Sequence, residues 1–146
     1  MGTVTATRSR SSSATEFREL LDEVLSELDA DEKSGPLLRA TGLRVRFEFP
    51  DLGMVLNVAA SDEPGHHLQW EFSDAVDWEP KLNLSMDWQI ANAYLQGKES
   101  LAIAIARGRV RYDGQARCAL LYVPALGLVV APYRRLVRRK YRHLLV

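Results

Sequence analysis

The sequence predicts an α+β domain: a five-stranded, mostly antiparallel sheet with helices over one face. Three observations lead there. A helical apolar period near the start gives way to period-2 alternation in the middle, and the alternating runs are joined by short turns. A nearly continuous apolar stretch late in the chain then needs a partner to bury it. The length of 146 residues, with 47% apolar and 26% charged side chains, suits one globular domain.

The elements follow in order. Phe17, Leu20, Leu21, Val24, Leu25 and Leu28 recur at helical spacing, with Glu19, Asp22, Glu23 and Glu27 on the other face. Ser13 and Glu16 fit a capping box, which places the helix at roughly 15–30. Ser34-Gly35-Pro36 breaks the pattern before a short turn at Leu37–Ala40. In the run from Leu43 to Phe49 odd positions are apolar and even positions charged. Met54, Leu56 and Val58 alternate next, then Leu68, Trp70 and Phe72, with turns at Pro50–Gly53 and Ser61–Gly65. These three runs read as a meander, apolar on one side and wet on the other. Leu82, Leu84 and Met86 form a fourth strand. Asp87 is placed to cap a helix through Leu95 that Gly97 ends. Glu99–Ala106 reads as a short helix, although Leu101, Ile103 and Ile105 also alternate. Val110 and Tyr112 make a fifth strand between Gly108 and Gly114.

Gln115–Val130 is apolar on every side, so it is expected to be buried on most faces, against the sheet or against a ligand lying between helix and sheet. Pro124 interrupts it, and it is short for a membrane span. Past Pro132 the chain becomes a basic amphipathic helix over 133–146. Tyr133, Leu136, Val137, Tyr141, Leu144 and Leu145 share one face, and Arg134, Arg135, Arg138, Arg139 and Arg142 lie mainly on the other. The Thr/Ser/Arg-rich residues 1–14 read as a disordered tail without the apolar core of a secretory signal. The expected organisation is tail 1–14, ligand-binding domain 15–132 and basic helix 133–146. The lone Cys118 gives no reason to expect an oxidising compartment, so the expected location is cytoplasmic.

A search for chemistry returns little. His66 and His67 sit in a Pro-Gly turn without a cysteine partner, and no metal is expected there. No Gly-x-Ser-x-Gly elbow occurs. Gly97-Lys98-Glu99 is not a phosphate loop, because Asn92 stands where the first glycine belongs and Glu99 replaces Ser/Thr. Asp74, Asp77 and Glu79 around Trp78 read as a wet acidic loop. A small enzyme using Asp77, Glu79 and Tyr94 is the one catalytic alternative. The expectation is a protein without catalytic residues or cofactor. Net charge is zero, but residues 1–80 carry 16 acids and 7 bases while residues 81–146 carry 3 acids and 12 bases. Without a second basic segment bearing exposed aromatics, nucleic acid is not the expected partner. An anionic membrane surface or acidic partner fits the basic helix instead, with packing on its own domain or on a dimer mate as the alternative.

The order of motifs from Leu82 to Leu126 resembles the sterol carrier protein type 2 family. Lys81-Leu-Asn-Leu-Ser-Met-Asp87 is similar to the family's strand entering a capped helix, and Leu95-Gln-Gly97-Lys98 to the loop that ends it. Gly108-Arg-Val-Arg-Tyr-Asp-Gly114 is similar to the following Gly-bracketed strand. The upstream helix and meander also fall in family order, so the likeness covers about 15–130. It implies a non-enzymatic carrier whose tunnel, between sheet and helices, takes a fatty acid, acyl-CoA, sterol or prenyl lipid. The expected ligand wall is Trp70, Phe72, Leu84 and Met86 from strands, Trp88, Ala91, Tyr94 and Leu95 from the helix after them, Ile105, and Leu120, Leu121, Val123 and Leu126 from the apolar segment. Tyr94 or Tyr122 is the candidate for orienting a lipid head. The alternative function is an interaction module that dimerises or docks onto an enzyme of lipid metabolism.

Overall fold

The computed structural model describes residues 2–146, with side chains from residue 12 onward. Helix α1 runs Gly2–Ala30 and α2 Ser34–Ala40. The strands are β1 (Arg44–Phe49), β2 (Met54–Ala60), β3 (Leu68–Glu71), β4 (Leu82–Met86) and β5 (Val110–Gly114). Helices α3 (Trp88–Leu95) and α4 (Leu101–Ala106) separate β4 from β5. After β5 come α5 (Ala116–Leu126), a 3-10 turn (Gly127–Val129) and α6 (Val130–Lys140), which together form one continuous helix from Ala116 to Lys140.

The five strands lie in the order β3-β2-β1-β4-β5. β1 pairs antiparallel with β2, β2 with β3 and β4 with β5, but β4 runs parallel to β1. The sheet is therefore mixed, which corrects the expectation of a mostly antiparallel one. Alternation fixes which face a side chain takes, not the direction of the neighbouring strand. Here residues 72–81 carry the chain back along the sheet before β4 starts. That return crosses the outer face: Asp74 O accepts from Arg46 Nη1 at 3.1 Å and Ser73 O from Asn57 Nδ2 at 2.7 Å. Asn57 is consequently buried on the side expected to be wet.

Local signals place several ends. Gly97 and Gly108 adopt φ of 77° and 73° where α3 and α4 stop, as helix-terminating glycines do. Gly114 has φ 139°, and a Cβ there would lie 2.4 Å from Lys81 O, so only glycine fits the β4–β5 contact. The start of α3 differs from expectation. Asp87 occupies the cap position without a side-chain bond, and Asp51, from the turn between β1 and β2, accepts from Trp88 N instead at 3.2 Å. Helix α1 does not start near Thr15: its backbone continues upstream through the segment expected as a disordered tail, with Ser13 and Glu16 inside it. Once nucleated, a helix gains a hydrogen bond with each residue added, so a stretch without an apolar period can extend one. The side chains of residues 1–11 lie outside the described residues.

The core lies between the inner sheet face and the helices. Val45, Leu56, Leu82 and Leu84 from the strands meet Phe17, Leu20, Val24 and Leu28 of α1. Phe17 packs edge-on against Phe49 at 5.3 Å and against Trp88 at 5.5 Å. Helix α6 lies along α1, with Tyr133, Leu136 and Val137 buried.

Candidate functional site

An apolar cavity of about 60 Å³ sits at the centre of this core. Its floor is the inner sheet face, at Phe47, Leu56, Val58, Leu84 and Met86. Its roof is α1, through Leu21, Val24, Leu25 and Leu28. Ala91, Tyr94 and Leu95 of α3 close one side, and Leu126 and Val129 close another. Sites for drug-sized ligands occupy roughly 300–1,000 Å³. The space is therefore filled by side chains down to a small void rather than open as a tunnel.

Tyr94 is the one lining residue that carries a hydroxyl, but the surface facing the cavity is apolar throughout, and burial pushes the pKa of that hydroxyl up. A charged head group would lose its hydration inside such a lining at a cost of several kcal/mol, on the order of that for any unpaired buried ion. Only the apolar body of an amphiphile is compatible with the interior. Tyr122, the other candidate for orienting a head group, turns its hydroxyl to Gly42 O at 3.5 Å, outside the cavity lining.

Of the wall expected from sequence, Leu84, Met86, Ala91, Tyr94, Leu95 and Leu126 converge on the cavity. The others do not. Trp70 donates its indole N–H to Asp22 Oδ1 at 2.8 Å, and Phe72 lies under the Arg18 guanidinium at 4.8 Å, so both pack at the outer flank of α1. Trp88 packs tilted against Phe17. Ile105 and Val123 are half-buried elsewhere. Leu120 and Leu121 are 78% and 50% exposed, which corrects the expectation that the whole Gln115–Val130 segment is buried. Helix α5 meets the core along one stripe only, through Tyr122 and Leu126. Tyr112 of β5 is 48% exposed because β5 is the sheet edge and no described helix covers that position.

Two features were missed. One is the α1 roof. Its period of 3.6 predicts a helix, and the same period identifies the face available to a cavity. The other is a buried polar lock. Tyr133 donates its hydroxyl to Asn92 Oδ1 at 2.6 Å, Asn92 Nδ2 donates to Leu144 O at 2.9 Å, and Gln96 Nε2 donates to both Asn92 Oδ1 and Leu144 O at 2.9 Å. It fastens α6 and the residues after it to α3, beside the cavity wall. Lys140 Nζ and the Tyr141 hydroxyl both reach Glu23 Oε1, at 2.6 and 3.0 Å, and His143 Nε2 reaches Glu16 at 2.6 Å. Burial and the Glu23 carboxylate push the Tyr141 hydroxyl up to about 12. The basic helix thus packs its apolar face on its own domain.

The far end of α1 is clipped to the sheet by Asp29. This carboxylate accepts from His66 Nδ1 at 2.7 Å, His67 N at 2.6 Å and Leu68 N at 2.9 Å. His67 Nδ1–H donates to Asp29 O at 2.9 Å. The adjacent histidines hold the β2–β3 turn in place. Among the described residues no group of three or more His, Cys, Asp or Glu side chains is placed to hold a metal ion. The start of the acidic loop is anchored on the outer sheet face, and Asp77 and Glu79 are exposed, whereas Tyr94 lines the inner cavity.

No protein-family model matches the sequence, and no curated protein matches it. Solved structures do. UbiJ-SCP2, a ubiquinone synthesis protein, superposes with a TM-score of 0.56 at 12% identity, over 75% of this chain and 87% of its own. Sterol carrier protein 2 superposes with a TM-score of 0.52 at 14% identity, over 80% and 94% of the two chains. The stereoselective inverting sec-alkylsulfatase Pisa1 from Pseudomonas sp. superposes with a TM-score of 0.53 at 16% identity; the match covers 68% of this chain but 14% of that enzyme. The likeness drawn from glycine spacing and strand order is matched by architecture: this chain has the sterol carrier protein 2 fold.

Proposed function

We propose that the protein binds the apolar body of a lipid between the inner sheet face and the α1, α3 and α5 side chains, and carries it without chemistry of its own. The observation that carries this reading is the wholly apolar cavity at the meeting point of sheet and helices. Its enlargement is supported by the construction of the adjoining helix. Pro124 removes a backbone donor within α5, and the 3-10 turn at Gly127–Val129 follows directly, next to the lining residues Leu126 and Val129. Displacing α5 about this weak point opens the void while the lock on α6 holds. Each CH₂ then buried contributes roughly 0.8 kcal/mol. The likeness to a sterol carrier protein and to a ubiquinone synthesis protein supports an apolar ligand and makes sterols and ubiquinone-like prenyl lipids the first to try.

Native mass spectrometry of the purified protein, followed by organic extraction, tests this. A stoichiometric adduct that extracts as a fatty acid, sterol or prenyl lipid is the expected result. Failure of added fatty acids, acyl-CoAs and sterols to bind a clean apo protein overturns it. Variants locate the site. Leu95→Trp, at the half-buried cavity edge, should weaken binding by at least about tenfold, the loss of roughly two buried CH₂ groups. Leu121→Trp should bind as wild type, because Leu121 is outside the cavity lining.

A second reading, an interaction module that dimerises or docks onto an enzyme of lipid metabolism, is favoured by exposed Leu120 and Leu121. A tight dimer with no small molecule bound would select it.

A further inference from the structure

The helix from Ala116 to Lys140 presents one continuous outward stripe. Exposed positions recur at Arg117, Leu120, Leu121, Pro124, Gly127 and Ala131, and then at Arg135, Arg138 and Arg139. Their spacing of three and four residues places them on one side. The opposite side is the buried one, at Tyr122, Leu126, Val129, Tyr133, Leu136 and Val137. The stripe has an apolar centre with arginines at both ends.

Its charge is of one sign. From Gln115 to Val146 the sequence contains no acidic residue. Arg135 pairs with Glu27 at 3.4 Å and Lys140 with Glu23 at 2.6 Å, both on α1. Arg117 and Arg138 on the stripe, and the half-buried Arg134 at its flank, make no ion pair among the described residues. Leu120 is the most exposed of the large apolar side chains, and Leu121 is beside it. Exposed apolar groups rimmed by polar ones mark interaction sites.

We propose that this stripe docks the protein on an anionic lipid bilayer, with Leu120 and Leu121 in the interface and Arg117, Arg134 and Arg138 on the phosphates. A bilayer surface supplies what the stripe lacks: hydrocarbon for its centre and negative charge at both ends. From Arg117 to Arg138 the helix measures about 32 Å, at 1.5 Å per residue, and because the stripe runs along one side of it, docking through the stripe lays the helix in the membrane plane. The same helix is apolar and long enough to cross a membrane, but its inner side belongs to the core, and crossing would dismantle that packing. A second copy of the chain is the poorer occupant, since pairing two such stripes brings arginines together without an acid between them. The assignment moves the expected membrane contact from the basic helix alone to α5 with α6. It does not depend on the carrier reading, because vesicle binding is measured without the cavity ligand.

Flotation of the full chain with phosphatidylcholine vesicles, with and without phosphatidylglycerol, tests the proposal. Binding to the anionic vesicles that fades at high salt, and little binding to the neutral ones, is expected. Leu120→Asp with Leu121→Asp should reduce it by about tenfold or more while the thermal midpoint stays put, as each leucine has little core contact to lose. Arg134→Gln with Arg138→Gln supplies a second variant and should reduce binding to a similar extent. No binding of wild type to anionic vesicles, or binding by both variants equal to wild type, overturns the proposal. So does a Leu120/Leu121 variant that turns a dimer into a monomer and still floats.

Discussion

Helices α5 and α6 belong to one continuous helix, yet their sequences and their burial run in opposite directions. α5 is apolar nearly all round and leaves Leu120 and Leu121 in solvent. α6 is arginine-rich and buries Tyr133 completely, along with Leu136 and Val137. The difference lies in what each half lies over. α5 approaches the core and Gly42 with one stripe, and among the described residues none covers Leu120 and Leu121 on its outer side. α6 fits along α1 and α3, where a narrow apolar face is enough and polar partners meet its ends. Burial follows neighbours, and total hydrophobicity is a poor guide to it. An excess of apolar surface on the less buried half is then a sign of use rather than of packing.

The largest expected effect that could break this comparison is deletion of everything after Pro132. It should abolish cooperative unfolding and expose α1, seen as strong binding of a hydrophobic dye. A folded truncated chain would show that α6 is dispensable. Leu136→Ala should cost about 2–5 kcal/mol in denaturant melts, as large-to-small core changes do. Breaking the other fastening of α1 comes next. Asp29→Ala leaves the half-buried His67 N–H and the buried Leu68 N–H without their acceptor and should cost about 1–3 kcal/mol. Tyr133→Phe removes one donor while Asn92 Oδ1 keeps its bond from Gln96, so a loss of about 1 kcal/mol is expected. Leu120→Ala should stay within about 0.5 kcal/mol of wild type. Equal costs at Leu120 and Leu136 would erase the distinction.

The Asp29 clip also has a pH signature. Burial pushes the Asp29 carboxyl up, but the bonds from His66, Leu68 N and His67 N outweigh it and hold the group below its ordinary 3.8. That carboxylate in turn holds His66 above its ordinary 6.5. The His66 contribution is full below 6.5 and is lost as pH rises through the raised value. The Asp29 contribution is full above 3.8 and is lost as pH falls through the lowered value. The clip therefore contributes most between those two ordinary values and less on both sides, and Asp29→Asn should remove its share of both declines in the thermal midpoint.

Much of this fold was legible because its signals are local. The period of Phe17 to Leu28, the alternation in each strand, and Gly97, Gly108 and Gly114 name the elements and their ends from a few neighbouring residues. What was not legible depends on distant partners. Nothing near β4 reveals that it runs parallel to β1. Nothing near Asp87 reveals that Asp51 takes its capping role. The wall was half legible for the same reason. Leu84, Met86, Ala91, Tyr94 and Leu95 face inward by spacing alone. Trp70 and Trp88, inward by the same rule, are claimed by Asp22 and Phe17. Asn92 and Gln96 gave no signal at all, since their value rests on a backbone carbonyl 48 or more residues away.

The pairing of α1 with α6 joins residues more than a hundred positions apart, such as Glu27 and Arg135, separated by 108. On a ribosome adding about 5–20 residues per second, α1 waits roughly 5–20 s for that partner. Throughout that interval the flank of α1 that α6 covers stays an open ridge on the nascent chain. Such a ridge is what chaperones grip, so production of this protein should depend on them more than its small size suggests, and slowing translation past β5 should worsen the yield.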